Sequence, residues 1–319
     1  MIEPARVKEI FSGIRREIGK VIIGQDETIN LMLAALLVKG HILLEGVPGT
    51  AKTLTVKTMS EIIGAGFRRI QMTPDLMPSD VLGTTIFDVK SGSFHVHKGP
   101  IFSDLVLVDE INRAPAKTQS ALLECMEERQ VTIEGNRFAL SPIFSVLATQ
   151  NPLEYEGTYP LPEAQLDRFL FKIMLDYPSE EAEKGILSRF EAGFRSDSIE
   201  KVGLEHVATI EEIQETREII TKVQTKDPVR DYITDIVRTT RNWSDVQVGG
   251  GVRATIGLFL ASKAAALLDG RDFVTPDDVK SMVLPVLRHR IILKPEAEIE
   301  GLSSDDCLKA VLAKVKVPR

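Results

Sequence analysis

The chain has 319 residues, 43% hydrophobic and 27% charged, with a mean hydropathy of +0.01, the composition of a folded globular protein long enough for two domains. Its net charge of −7 divides into −4 over residues 1–178 and −3 over residues 179–319. Neither half is a basic platform, which argues against constitutive binding to the phosphates of duplex nucleic acid.

In chain order, the first half alternates short apolar runs with helical patterns. His41 to Glu45, Phe67 to Met72, Leu105 to Asp109, Phe144 to Ala148 and Phe169 to Leu175 have the length and bounding residues of strands buried on both faces of a parallel sheet. This half is therefore expected to be α/β. Two alternating stretches interrupt it, Ile86 to His97 around Ser91-Gly92-Ser93 and Val131 to Phe138 around Glu134-Gly135-Asn136, and both read as inserted β-hairpins.

After Tyr177-Pro178 the pattern becomes helical: Glu180 to Phe190, Ile210 to Gln224, Val229 to Asn242, Arg253 to Asp269, Pro276 to His289 and Asp305 to Val315. Thr275-Pro276-Asp277-Asp278 is an explicit helix start, with a capping hydroxyl, a proline where its missing N–H costs nothing, and two acids facing the positive helix end. The organisation expected is an α/β core over 1–178, a helical linker over 179–224 and an all-α domain over 225–319. Cys125 and Cys307 stand apart, with no Cys-x-x-Cys and no nearby His, so neither a disulfide framework nor a zinc site is indicated and a reducing compartment is. The longest purely apolar run, Leu31 to Val38, falls far short of the roughly 20 residues of a membrane helix. Without a signal-peptide pattern, the expected location is the cytoplasm.

Four segments carry chemistry. Gly46-Val47-Pro48-Gly49-Thr50-Ala51-Lys52-Thr53, between a strand and a helix opening at Leu54, is a phosphate-cradling loop in the context that the motif requires. Its backbone N–H groups would wrap the phosphates of a nucleotide, Lys52 would reach the terminal ones, and the Thr53 hydroxyl would ligate Mg²⁺. Ala51 replaces the usual last glycine, and helical dihedrals at the helix start would make a methyl tolerable there. Leu105-Val-Leu-Val-Asp109-Glu110 ends a strand in two carboxylates, Asp109 for the metal and Glu110 to polarise the attacking water. Asn151, closing a further strand, is placed to hydrogen-bond a γ-phosphate or that water. Asp167-Arg168, after a short helix, offers a guanidinium that is either half of a surface ion pair or a finger for a neighbouring subunit.

Together with Asp109-Glu-Ile-Asn-Arg-Ala-Pro115, Lys117-Thr-Gln-Ser-Ala-Leu-Leu-Glu124, Ala148-Thr-Gln-Asn-Pro152 and Glu156 through Phe169, these motifs resemble the MoxR family of AAA+ ATPases over residues 21–289. The family commonly carries alanine at the position of Ala51. The resemblance implies a P-loop core with a five-stranded parallel sheet and a helical lid, ATP and Mg²⁺ as ligands, and a ring, commonly hexameric. Residue by residue, it implies that the segment Val21-Ile22-Ile23-Gly24-Gln25 contacts adenine, that Asn151 is sensor 1, and that Arg168 is an arginine finger acting across the subunit interface. Gly250-Gly251-Val252-Arg253 stands where the family has a Ser-Pro-Arg type of sensor 2, with Val252 in place of proline and Arg253 as the matching cation. The two hairpins resemble the helix-2 insert and the pre-sensor-1 hairpin. The resemblance further implies chaperone-like remodelling of partner proteins, commonly ones with a von Willebrand factor A domain. Two other readings compete, a nucleotide-switched scaffold with little turnover and a DNA-acting motor of the helix-2-insert group. Glu110 opposes the first and the acidic charge the second.

Overall fold

The computed structural model describes residues 3–47, 49–151, 158–196 and 199–318. Helix α1 (Pro4–Gly19) has proline in its first turn and buries Val7, Ile10, Phe11, Ile14 and Ile18, the i, i+3/i+4 stripe of an amphipathic helix. Helix α2 (Asp26–Leu37) is buried at every position from Leu31 to its end, and leads to β1 (Ile42–Gly46). The phosphate loop joins β1 to α3 (Lys52–Ile62), which is followed by β2 (Phe67–Gln71), a short α4 (Pro78–Leu82) and the hairpin β3 (Gly83–Asp88) with β4 (Ser93–Lys98). Next come β5 (Leu105–Asp109), α5 (Ala116–Glu128), the hairpin β6 (Gln130–Ile133) with β7 (Asn136–Ala139), β8 (Ser145–Gln150), α6 (Glu163–Leu166) and β9 (Phe171–Leu175).

The central sheet has the order β2-β5-β8-β1-β9, with every pairing parallel. The period-2 alternation of strand side chains divides the core in two. Ile42, Leu44, Leu105 and Leu107 enter one cluster, shared with α1, α2 and the C-terminal helices, whereas Leu43, Val106 and Val108 enter a second with Leu122, Leu123 and Met126 of α5. The sequence treats Phe67 to Met72 as another run buried on both faces. It is instead an edge strand, with Arg68, Arg69 and Gln71 exposed and Ile70 buried.

The remaining helices are α7 (Glu180–Glu191), α8 (Ile210–Ile220), α9 (Asp227–Arg241), α10 (Val252–Leu268), α11 (Pro276–Leu287), α12 (Pro295–Ile299) and α13 (Ser304–Lys314). At the start of α11 the Thr275 hydroxyl accepts from the Asp278 N–H at 3.3 Å, and the Asp278 carboxylate accepts from the Thr275 N–H at 2.7 Å, closing a reciprocal cap. The C-terminal region is not purely helical: β10 (Val246–Val248) and β11 (Ile292–Leu293) pair antiparallel. Strands of three and two residues are too short to show a period, and the Gly249-Gly250-Gly251 run after the first reads as loop.

The amino ends of the strands are sealed by cations and imidazoles that donate to backbone carbonyls. Arg217 donates to the carbonyls of Leu36 (2.7 Å) and Pro142 (2.5 Å), and burial lowers its pKa to about 10. His41 accepts from the Val146 N–H through Nδ1 at 2.9 Å, which leaves Nε2 to donate to the Met126 carbonyl at 3.0 Å. Complete burial lowers the His41 pKa to about 3, and burial likewise pushes His289, whose Nε2 lies 2.9 Å from the Phe169 carbonyl, well below 6.5.

A depressed histidine contributes stability that is fully present above the unfolded pKa of about 6.5 and is lost as pH falls toward the folded value. Two of the five histidine Cε1 signals in a proton NMR titration should therefore stay at the neutral position from about pH 8 to about pH 5. A His41 that protonates near pH 6 would contradict this assignment.

Candidate functional site

At the carboxyl ends of β1, β5 and β8 the chain encloses a cavity of about 600 Å³, where ligands bind in open α/β sheets. Gly46, Gly49, Thr50, Ala51, Lys52, Thr53 and Leu54 form one wall, and Asp109, Glu110 and Asn151 form the other. The loop, the carboxylate pair and Asn151 thus meet as the sequence anticipates. Pro48 and residues 152–157 lie outside the described residues.

Close packing fixes the start of the loop. A Cβ on Gly46 would stand 2.3 Å from the Leu175 carbonyl oxygen, so only glycine lets β1 and β9 approach this way. Val47 accepts from the Thr50 hydroxyl at 3.3 Å, and Lys52 donates to the Gly46 carbonyl at 2.7 Å, drawing its ammonium across the loop. Burial lowers the Lys52 pKa, while Asp109 and Glu110 act in the opposite sense. Helix α3 begins at Lys52 rather than Leu54, so the N–H groups of its first turn point at the cavity.

Ala51 overturns one expectation. It is not helical but left-handed, at φ 56° and ψ 22°, a conformation that costs a residue with a side chain roughly 1–2 kcal/mol. That geometry gives the physical reason why glycine is usual there.

The carboxylate pair is held by a closed ring of hydrogen bonds. The Thr149 hydroxyl donates to Asp109 Oδ1 (3.1 Å) and accepts from the Glu110 N–H (2.9 Å). Arg69 Nε donates to Asp109 Oδ2 (2.6 Å) and Arg69 Nη2 to Gln71 Oε1 (3.1 Å), and Gln71 Nε2 donates to Glu110 Oε2 (2.8 Å). Arg113 Nη1 also donates to that oxygen at 3.2 Å. The ring fixes the orientation of both carboxyls and aims Glu110 toward the edge strand. Sequence reasoning missed Arg69, Gln71 and Thr149. The available signal was the spacing of Arg69 and Gln71, two apart and hence on the same face of β2.

The segment implied to meet adenine is tied to the loop, since Gln25 Nε2 donates to the Thr50 carbonyl at 2.8 Å. Gly24 has φ +73°, a Cβ there would meet Ala182 of α7 at 2.8 Å, and Ile23 packs on Gly185 of the same helix.

The two arginines lie elsewhere. Arg168 Nη1 contacts Glu127 Oε2 at 2.9 Å and donates to the Leu123 carbonyl at 2.8 Å, both on the last turns of α5. Arg253, at the start of α10, pairs with the other Glu127 oxygen and lies 3.6 Å from Asp167 Oδ2. Neither lines the phosphate-loop cavity, so Arg253 is not on the subunit's own loop as a same-chain sensor 2 would be.

Residues 41–171 match the family described as the ATPase family associated with various cellular activities (AAA), and residues 238–311 match the AAA lid domain. The chain is 48% identical to the uncharacterized protein YeaC of Bacillus subtilis over 94% of its own length and 92% of that protein's. It is 42% identical to chaperone MoxR1 of Mycobacterium tuberculosis, over 95% of this chain and 81% of that one. A solved structure from Cytophaga hutchinsonii superposes with a TM-score of 0.91 at 43% identity, covering 99% of this chain and 97% of the other. The chain belongs to the MoxR family of AAA+ ATPases. Within this MoxR-family fold, the phosphate loop and the carboxylate pair share one cavity, and the arginines share another place.

The strain at Ala51 makes a stability prediction. Ala51→Gly should melt at or above the wild-type temperature, because relief of left-handed strain offsets the roughly 0.5–1 kcal/mol of added chain entropy. Ala51→Val, β-branched in that conformation, should melt lower by the equivalent of about 1–2 kcal/mol or more. Equal melting of all three proteins would contradict the assigned geometry.

Proposed function

We propose that this chain is a Mg²⁺-dependent ATP hydrolase that assembles into a ring, as a hexamer, and remodels protein partners, those with a von Willebrand factor A domain first among them, in the cytoplasm. The observation that carries the reading is the joint lining of one cavity by Lys52, Thr53, Asp109, Glu110 and Asn151. Loop and first-turn N–H groups would bind the phosphates with Lys52, and Ile23, Gly24 and Gln25 would flank the base. Glu110 would take the proton of the attacking water, and Asn151 would orient that water or the γ-phosphate.

The residues present fit Mg²⁺. The Thr53 hydroxyl and the Asp109 carboxylate are hard oxygen donors on the same cavity, and Mg²⁺ takes few protein ligands, completing its shell with phosphate and water. Bound there, the ion would neutralise phosphate charge.

The separation of the arginines from the loop supports a shared site. Helix α5 has 13 residues, about 20 Å, and through Glu127 holds Arg168 and Arg253 at the end away from Glu110. The cations would therefore serve a neighbouring subunit's nucleotide. For partner contact, the hairpin β3–β4 presents Phe87 and Phe94, 50% and 71% exposed, with ring centroids 5.0 Å apart. An exposed aromatic pair of this kind would give a protein partner an apolar surface to cover. Among the described residues no helix is long and apolar enough to cross a membrane.

Separate roles for phosphate binding and water activation are the test. Lys52→Ala should weaken ATP binding, measured with a fluorescent analogue. Glu110→Gln should bind ATP as the wild type does and lose about 10²–10⁴-fold in phosphate release. Wild-type turnover by Glu110→Gln would remove this residue from the mechanism.

A further inference from the structure

One carboxylate outside the nucleotide cavity holds both arginines, and nothing in the family motifs singles it out. Glu127 lies at the end of α5, Arg168 on the turn after α6, and Arg253 in the first turn of α10. Its Oε2 takes Arg168 Nη1 at 2.9 Å and its Oε1 takes Arg253 Nη2. The arrangement is braced on both sides. Leu123, one turn before Glu127, accepts from Arg168 through its carbonyl at 2.8 Å. Asp167, which faces Arg253 at 3.6 Å, is fixed by Arg290, a buried guanidinium donating to Asp167 Oδ1 at 2.8 Å and to the Phe169 carbonyl at 2.6 Å.

We infer that Glu127 is a positioning residue that gathers Arg168 and Arg253 into one paired cation, so that finger and lid arginine reach a phosphoryl group together. The inference rests on the proposed role of Arg168 at a neighbour's nucleotide. Two guanidiniums brought side by side repel one another, and each long side chain has many rotamers to lose. A carboxylate with one oxygen for each removes both obstacles before the phosphate arrives. Because Arg253 belongs to α10 and Glu127 to α5, the same contact ties the angle of the lid helices to the placement of the finger. Misplacement of a catalytic group by about 1 Å costs on the order of 10²-fold in rate.

The test uses the full chain and compares turnover with ATP affinity. Glu127 is 39% exposed at its side chain, so a substitution of equal size leaves the core intact. Glu127→Gln should bind ATP with wild-type affinity and lose about tenfold to 10²-fold in kcat, and Glu127→Asp should recover part of that loss. In a background carrying both Arg168→Ala and Arg253→Ala, Glu127→Gln should cost nothing further, since the residue acts through the two arginines. A general structural defect would multiply the losses instead, and that result would overturn the inference. Wild-type turnover by Glu127→Gln beside an inactive Arg168→Ala would also overturn it, while leaving the finger assignment standing. Wild-type turnover by Arg168→Ala would remove the finger assignment itself and the role of Glu127 with it.

Discussion

Helix α5 runs for 13 residues, about 20 Å, between the turn that carries Glu110 and the last turn, where Glu127 ties down Arg168 and Arg253. A packed helix does not shorten, and its buried face, with Leu122, Leu123 and Met126, is anchored in the core beneath the sheet. Glu110 and the arginine pair of one chain are thus held apart. This spacing fits a fold whose cavity is lined by Lys52, Thr53, Asp109, Glu110 and Asn151, yet by neither Arg168 nor Arg253.

The same sheet separates stability from chemistry. At its amino ends, Arg217, Arg129 and His41 satisfy backbone groups, with burial paid for by hydrogen bonds to carbonyls. At its carboxyl ends the chain keeps strained or charged features: Ala51 and Glu110 both left-handed, Lys52 partly desolvated, and two adjacent carboxyls. Such departures from local preference are characteristic of sites where function sets the geometry.

Much of this was legible in the sequence because the signals were local. Buried strands such as Leu105 to Asp109 read directly from continuous apolar runs, and the phosphate loop and Asp109-Glu110 are contiguous motifs placed by the strands that precede them. Signals that depend on neighbours were not legible. Arg69 and Gln71 gain meaning only when β2 pairs with β5 and brings them to Asp109 and Glu110. Glu127 is one of three acids near the end of α5, and no spacing distinguishes it from Glu124 or Glu128. The left-handed turn at Ala51 was hidden because alanine usually marks helix. The place of Arg253 was hidden because helix α10 can be read from sequence while its direction of approach cannot.

The most direct measurement of a shared site is ATP hydrolysis by mixtures of two inactive variants, Arg168→Ala and Glu110→Gln. In a mixed assembly some interfaces pair an intact cavity on one subunit with an intact arginine on the next, so activity should return and peak at an intermediate ratio. If subunit exchange is demonstrated and no ratio restores activity, Arg168 does not act across the interface, and the role assigned to the length of α5 is wrong.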